Sequence, residues 1–213
     1  MNLALVEQAT EIALRSGYRS LQVHSFAPTQ REHNARLVQW AEFEPGSRVV
    51  DMGSGVGEFA RAARLAMPSL DFYLVNLSQY QLDQSPEFES HCGSYLAVPL
   101  PDGSCDAITF LFSIGHEDQA AAFNESFRLL RRGGILFVYD MVRVHGSNES
   151  MASVQYTVHP RSYMERLAQE SGFKLDVYIE PHDDGSYGRF LFGKEFDAVF
   201  DGTQAAIWRW VKP

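Results

Sequence analysis

Cysteine is nearly absent: Cys92 and Cys105 are the only two in 213 residues. Two are too few for a disulfide framework and lack metal-site spacing, so the chain must be held by its core. Basic residues are also scarce. Lys and Arg number 18 against 27 Asp and Glu, a formal charge of −9. Gripping a nucleic-acid backbone needs clustered cations, so nucleic acid is not expected as the main partner. The one dense basic spot, Arg128, Arg131 and Arg132, falls at the end of an expected helix, where cations complement the dipole. No apolar run approaches the ~20 residues of a bilayer span. Glu7 and Glu11 interrupt the apolar pattern of the first residues, which therefore do not read as a signal peptide. No repeat and no low-complexity segment is visible. The expectation is a cytoplasmic protein without a resident metal.

What is present is an ordinary globular composition, 45% hydrophobic and 21% charged, in a chain sized for one sizeable core rather than two. Apolar periodicity predicts helices over Leu3–Arg15 and from Thr29 or Gln30 to Glu42. The pattern then changes. Short apolar strands are expected at Arg48–Met52, Asp71–Leu77, Cys105–Phe112, Ile135–Met141, Phe173–Ile179 and Ala205–Val211. Between them lie helices at Glu58–Met67, after an N-capping Ser78, at Asp118–Leu130 (closed by Gly133-Gly134) and at Arg161–Ser171. Such alternation predicts a doubly wound α/β fold with a mostly parallel sheet covered on both faces. The long connection into Ala205–Val211 suggests a final hairpin, with the last strand antiparallel. Residues 1–44 read as an N-terminal helical cap on a single domain, 45–145 as a cofactor half and 146–213 as a substrate-side half.

The strand Val49-Val50-Asp51 runs straight into Gly53, Gly55 and Gly57. A strand followed by a tight glycine turn brings bare backbone up to a ligand at the carboxyl edge of a sheet. The spacing is G-x-G-x-G, and Glu58 stands where the dinucleotide fingerprint wants glycine or alanine. Asp51, two residues before the first glycine, disfavours a pyrophosphate and favours a cationic ligand. These residues resemble the class I S-adenosylmethionine-dependent methyltransferases. The likeness continues through Pro99-Leu100-Pro101-Asp102-Gly103-Ser104-Cys105-Asp106 and through Glu125–Leu136, with its Arg128-Leu129-Leu130 and Gly133-Gly134. The resemblance implies a seven-stranded Rossmann-like sheet and S-adenosylmethionine as cofactor. Asp51, Gly53, Ser54, Gly55 and Gly57 would then line its methionine and ribose part.

The chain departs from the family pattern in two places. The second strand ends on Asn76-Leu77, where the family carries an acidic residue for the ribose hydroxyls. A neutral amide gives up a charge-assisted hydrogen bond, on the order of 1–2 kcal/mol. Asn76 is the candidate ribose contact, with Leu77 beside it; the alternative is a turn asparagine. In Gly93-Ser94-Tyr95, Ser94 stands where the family often places the Asp that reads the adenine amino group. Tyr95 fits either adenine stacking or the core. The run Asn76–Leu82 resembles the variant found in methyltransferases of small molecules and lipids.

By the same resemblance, the segment after the fourth strand, Phe112-Ser113-Ile114-Gly115-His116-Glu117, faces the transferred methyl. Methyl transfer is an in-line displacement, so alignment dominates, and a base is needed only if the acceptor loses a proton. His116 is the base candidate, since histidine titrates near neutrality. The alternatives are that it caps the next helix or packs over the cofactor. Glu117 would orient His116 or act alone. Phe112 counts among the cofactor contacts. Phe110, Phe112, Tyr80 and Tyr18 are candidates to enclose an apolar or cationic acceptor. His33 lies on a helix able to close the site, and Tyr156 ends a loop, 147–156, that suits a lid, a satellite core or a dimer face. The Tyr- and Phe-rich stretch 187–200 fits a lid, a satellite core or a homodimer face. His182, Asp183 and Asp184 read as a solvated turn. The leading expectation is methyl transfer to a small apolar or aromatic acceptor. The alternatives are a non-catalytic module of the same fold, a nicotinamide enzyme and a nucleic-acid methyltransferase.

Overall fold

The computed structural model describes residues 3–15, 26–146, 155–181 and 201–213. Its strands are β1 (Arg48–Met52), β2 (Asp71–Asn76), β3 (Glu89–Cys92), β4 (Cys105–Leu111), β5 (Leu130–Arg143), β6 (Lys174–Ile179) and β7 (Thr203–Val211). They form one seven-stranded sheet in the order β3-β2-β1-β4-β5-β7-β6. β1 to β5 pair in parallel, and β7 runs antiparallel to both β5 and β6. The order reverses between β1 and β4, so a crevice opens at the carboxyl ends of these two strands.

The helices are α1 (Leu3–Arg15), α2 (Gln30–Ala41), α3 (Glu58–Ala66), α4 (Gln79–Leu82), α5 (Gln119–Leu129) and α6 (Arg161–Glu170). Successive strand residues point to opposite faces. Val50, Ile108, Val138 and Trp208 enter one core with Phe123, Met164 and Trp210, while Val49, Ala107, Phe137 and Ile207 enter the other with Leu37, Phe59 and Phe72. Both faces are covered, which explains why β1, β2 and β4 read as near-continuous apolar runs. No helix among the described residues is long and apolar enough to cross a membrane.

Capping follows the sequence. Thr29, Ser78 and Asp118 each accept a backbone N–H at the start of α2, α4 and α5. The differences have physical causes. β3 was not expected at its position because Glu89-Ser90-His91-Cys92 is a polar edge strand, with no apolar face to betray it. α5 ends at Leu129, and Leu130 already pairs with Cys105 before a register shift. The ammonium of Lys212 donates to the carbonyls of Phe127 and Leu130 at the end of α5. Gly133-Gly134 therefore does not close the helix. It lets the chain pass Arg131 and Asp106, whose carbonyls would stand 2.9 and 3.0 Å from a Cβ on Gly134. The basic spot is structural at two of its members: Arg128 binds Glu125 and Asp102, and Arg131 binds Asp106.

Candidate active site

The glycine loop hangs from β2. Gly53 and Ser54 donate their N–H groups to the Val75 carbonyl at 2.8 and 3.1 Å. Gly53 and Gly57 have φ of 74° and 71°. A Cβ on them would stand 2.5 Å from Ser113 Cβ and 2.9 Å from Ser85 Cβ, so both positions are closed to any side chain. Gly55, with φ of 54°, would meet nothing within 4 Å and faces open space. Two glycines thus pack the loop, and the third leaves its backbone bare.

Asp51 lies one residue before the end of β1 and is 1% exposed. Its Oδ1 accepts from Thr109 Oγ1 at 2.7 Å, across the β1–β4 register. Its Oδ2 is buried with no hydrogen-bond partner among the described residues, as is Ser54 Oγ in the same loop. Burial raises the Asp51 carboxyl to about 7, the Thr109 bond pulling the other way. A buried acceptor left unmet costs about 1–3 kcal/mol, more when charged. The loop therefore suits a ligand that brings donors and positive charge.

Asn76 is strapped in. Its amide nitrogen donates to the Gly55 carbonyl (3.1 Å) and to Gln81 Oε1 (2.8 Å), while its Oδ1 accepts from Ser78 N (3.3 Å). Gln81 in turn donates to Thr10 Oγ1 on α1 at 2.7 Å. The turn asparagine is thus real, and only the second lone pair of Oδ1 remains for a ribose hydroxyl. Leu77 is half-buried beside it, and Tyr80 is half-buried on α4.

The turn after β4 is clamped from three sides. Ser113 Oγ donates to the Met52 carbonyl at 2.6 Å. The N–H groups of Ser113 and Ile114 donate to the Asp140 carboxylate at 3.1 and 3.3 Å. Tyr95 OH donates to the Ser113 carbonyl at 3.0 Å and accepts from Glu117 N at 3.0 Å. Its ring packs edge-on to Phe110 at 5.2 Å and is 4% exposed. Tyr95 is therefore a core strut, which corrects the stacking expectation. Phe110, fully buried, cannot enclose an acceptor.

His116 ends the short 3-10 turn Ile114–His116. Asp118 takes the cap of α5, so His116 does not. The histidine ring meets Tyr156 edge-on at 4.6 Å, and its Nδ1 lies 3.4 Å from the Gln155 carbonyl. Burial lowers its pKa to about 4, so it is neutral at pH 7 but a weaker base than a free imidazole, which corrects the expectation that it titrates near neutrality. Glu117 turns away from it: Oε1 accepts from Ser94 Oγ at 2.6 Å and Oε2 from Tyr95 N at 3.3 Å. Glu117 orienting His116 is corrected accordingly.

Two further assignments change. Tyr156 OH donates to Asp140 at 2.5–2.6 Å and is 7% exposed, so its hydroxyl holds the turn rather than an acceptor. His33 is fully buried, stacked on Phe26 at 4.0 Å and 5.2 Å from the Tyr139 ring, so it builds the wall and does not open to solvent. Phe112 has φ of 51°, uncommon for a bulky residue, and its ring stands edge-on to Tyr139 at 4.7 Å. Tyr18, the 147–154 part of the loop ending at Tyr156, His182, Asp183, Asp184 and the 187–200 stretch lie outside the described residues. Sequence reasoning missed Thr109, Gln81 and Asp140. Asp140 left a signal, a lone acid inside the apolar run Ile135–Val142. It is 1% exposed, and burial raises it to about 6 against the bonds from Tyr156 and three backbone N–H groups.

A glycine loop at the switch point, an unmet buried carboxylate beneath it and a clamped turn opposite define a candidate site for a ligand that carries donors and positive charge. Comparison with known proteins agrees. Residues 50–138 match the family described as Methyltransferase domain. The chain is 27% identical over 58% of its length to 24-methylenesterol C-methyltransferase 2 of Oryza sativa subsp. japonica, of which the match covers 37%. It is 30% identical over 57% of its length to the tRNA (carboxymethyluridine(34)-5-O)-methyltransferase ALKBH8 of Mus musculus, covering 19% of that protein. The chain thus spans well under half of these curated relatives. In fold it is similar to the [4+2]-cyclase SpnF, with a TM-score of 0.80 at 17% identity over 99% of this chain and 95% of that one. It is likewise similar to a geranyl diphosphate methyltransferase solved with S-adenosylmethionine, with a TM-score of 0.74 at 18% identity over 86% of both chains. Residues 50–138 are thus similar to a methyltransferase domain, and the fold is that of the Rossmann-like methyltransferase structures.

Proposed function

We propose that the protein is a class I S-adenosylmethionine-dependent methyltransferase that methylates a small apolar or aromatic acceptor at carbon or oxygen. The cofactor supplies an electrophilic methyl group on a sulfonium. Asp51 Oδ2 meets the cofactor's positive charge, Ser54 Oγ and the bare backbone at Gly55 line its methionine and ribose part, and Asn76 Oδ1 accepts one ribose hydroxyl. The unmet Asp51 Oδ2 is the observation that carries this reading. His116, neutral at pH 7, takes a proton from an acceptor hydroxyl when one must leave. Phe112, held at a strained φ beside Tyr139, forms the apolar wall facing the acceptor. Residues 1–44 act as a cap over the cofactor half, 45–145, and 146–213 supply the acceptor side.

The relatives' own acceptors support a small-molecule substrate without naming it, since a sterol and geranyl diphosphate are what those proteins are named for. The net charge of −9 weighs against the tRNA of the other relative. The test is conversion of S-adenosylmethionine to S-adenosylhomocysteine against a panel of isoprenoid, sterol and phenolic acceptors and unmodified tRNA. Turnover with a small acceptor, reduced in His116→Ala, supports the reading. Turnover with tRNA alone sinks it. Tight cofactor binding without turnover on any acceptor favours the second reading, a binding module of this fold.

A further inference from the structure

The carboxyl ends of the strands set a path for a nucleoside. From the glycine loop after β1 it passes Asn76 at the end of β2 and reaches the end of β3, the next strand in the sheet. The chain there leaves directly alongside, because Gly93 N donates to the Asn76 carbonyl at 2.9 Å. The base of a nucleoside whose ribose sits at Asn76 therefore meets Ser94 and whatever is docked on it. What is docked on it is Glu117, carried in from the turn after β4, with Ser94 Oγ donating to it at 2.6 Å and Tyr95 N at 3.3 Å.

This carboxylate is held but not filled. Its own N–H donates to Tyr95 OH, so backbone and side chain of Glu117 are both pinned to the Ser94-Tyr95 corner. No Lys or Arg pairs with it among the described residues. An ionised carboxylate offers about four lone-pair sites, and the described residues occupy two of them. Ser94 gives its single hydrogen to Glu117 and already accepts from Leu96 N at 3.0 Å. The stronger open acceptor at the corner is thus the carboxylate. The adenine 6-amino group is a pure donor, and its best complement is an ionised acceptor.

We propose that Glu117 is the specificity-determining residue for the cofactor's purine, accepting a hydrogen bond from the adenine 6-amino group. This rests on the S-adenosylmethionine reading and gives Glu117 a role separate from the methyl-transfer step. It also accounts for Ser94: the carboxylate comes from another strand, and the serine orients it.

The experiment is calorimetric titration of wild type, Glu117→Gln and Ser94→Ala with two ligands: S-adenosylhomocysteine, and its analogue bearing hydrogen in place of the 6-amino group. Wild type is expected to prefer S-adenosylhomocysteine by about tenfold, the size of one charge-assisted hydrogen bond. In Glu117→Gln that preference falls to within about twofold, with the analogue bound as in wild type. In Ser94→Ala most of the preference survives. A purely structural role for Glu117 weakens both ligands alike and leaves their ratio intact, which overturns the proposal. So does wild type binding both ligands equally, or Ser94→Ala alone abolishing the preference. These two outcomes remain decisive if Glu117→Gln does not fold. Failure of S-adenosylhomocysteine to bind wild type at all is a different result, and removes the cofactor reading itself.

Discussion

At the scale of single residues, the site turns on two buried acids, Asp51 with an unmet oxygen and Asp140 with both oxygens bonded. Asp51 titrates near 7 in the folded chain against about 3.8 for the free group. A raised folded pKa means the native state holds a proton that the unfolded state releases, so stability falls as pH rises from about 4 to about 7. The cofactor-free protein should therefore melt at lower temperature at pH 8 than at pH 5. The contribution is on the order of 3 kcal/mol by the ~1.4 kcal/mol per pH unit of linkage. Asp140, raised to about 6, adds a loss of the same sign that ends lower in pH. Asp51→Asn should flatten most of the dependence, stabilise the protein at pH 8 and weaken S-adenosylhomocysteine at least tenfold. A variant with unchanged melting at both pH values would show that Asp51 carries no such strain. For His116, neutral above about pH 4, replacement by alanine should lower kcat by about 10²–10⁴-fold if it is the base. The cofactor dissociation constant should stay within about twofold. An equal loss in cofactor binding would make His116 a packing residue instead.

At the scale of elements, a buried polar relay joins the N-terminal helix to the glycine loop. It runs Thr10, Gln81, Asn76 and the Gly55 carbonyl. Removing its middle member breaks one bond each to Thr10 and Asn76, which keep the Val6 carbonyl and the Gly55 carbonyl as partners, at about 1 kcal/mol per bond. Gln81→Leu should speed amide exchange across α1 (Leu3–Arg15) and weaken S-adenosylhomocysteine, both measurable by hydrogen exchange and calorimetry. Exchange in α1 at the wild-type rate would mean that the helix docks independently of the loop. The elements also show what a sequence can reveal. Glycines at 53, 55 and 57, the buried strands and the capping Ser78 were all legible, because local chemistry dictates each. β3 was not, since an edge strand needs no apolar pattern. The partner of Glu117 was not either. That side chain chose Ser94 over its neighbour His116 through a contact 23 positions away, which no local spacing encodes. Tyr95 and Tyr156 were legible as aromatic, yet only the packed turn shows that their hydroxyls bind protein and not ligand.

At the scale of the whole molecule, the charge of −9 and the internal pairing of Arg128 and Arg131 leave little to attract a polyanion. Binding to unmodified tRNA should be undetectable at physiological salt. A tight complex weakening steeply with salt would contradict the small-acceptor reading. The central claim is that the crevice at the β1–β4 switch point holds S-adenosylmethionine. The most direct measurement is calorimetric titration of the protein with S-adenosylhomocysteine, with NAD as control, at pH 6 and pH 8. Saturable one-to-one binding of S-adenosylhomocysteine alone, tighter at pH 8 where Asp51 is ionised, is the predicted result. Binding of NAD, or of neither ligand, would contradict it.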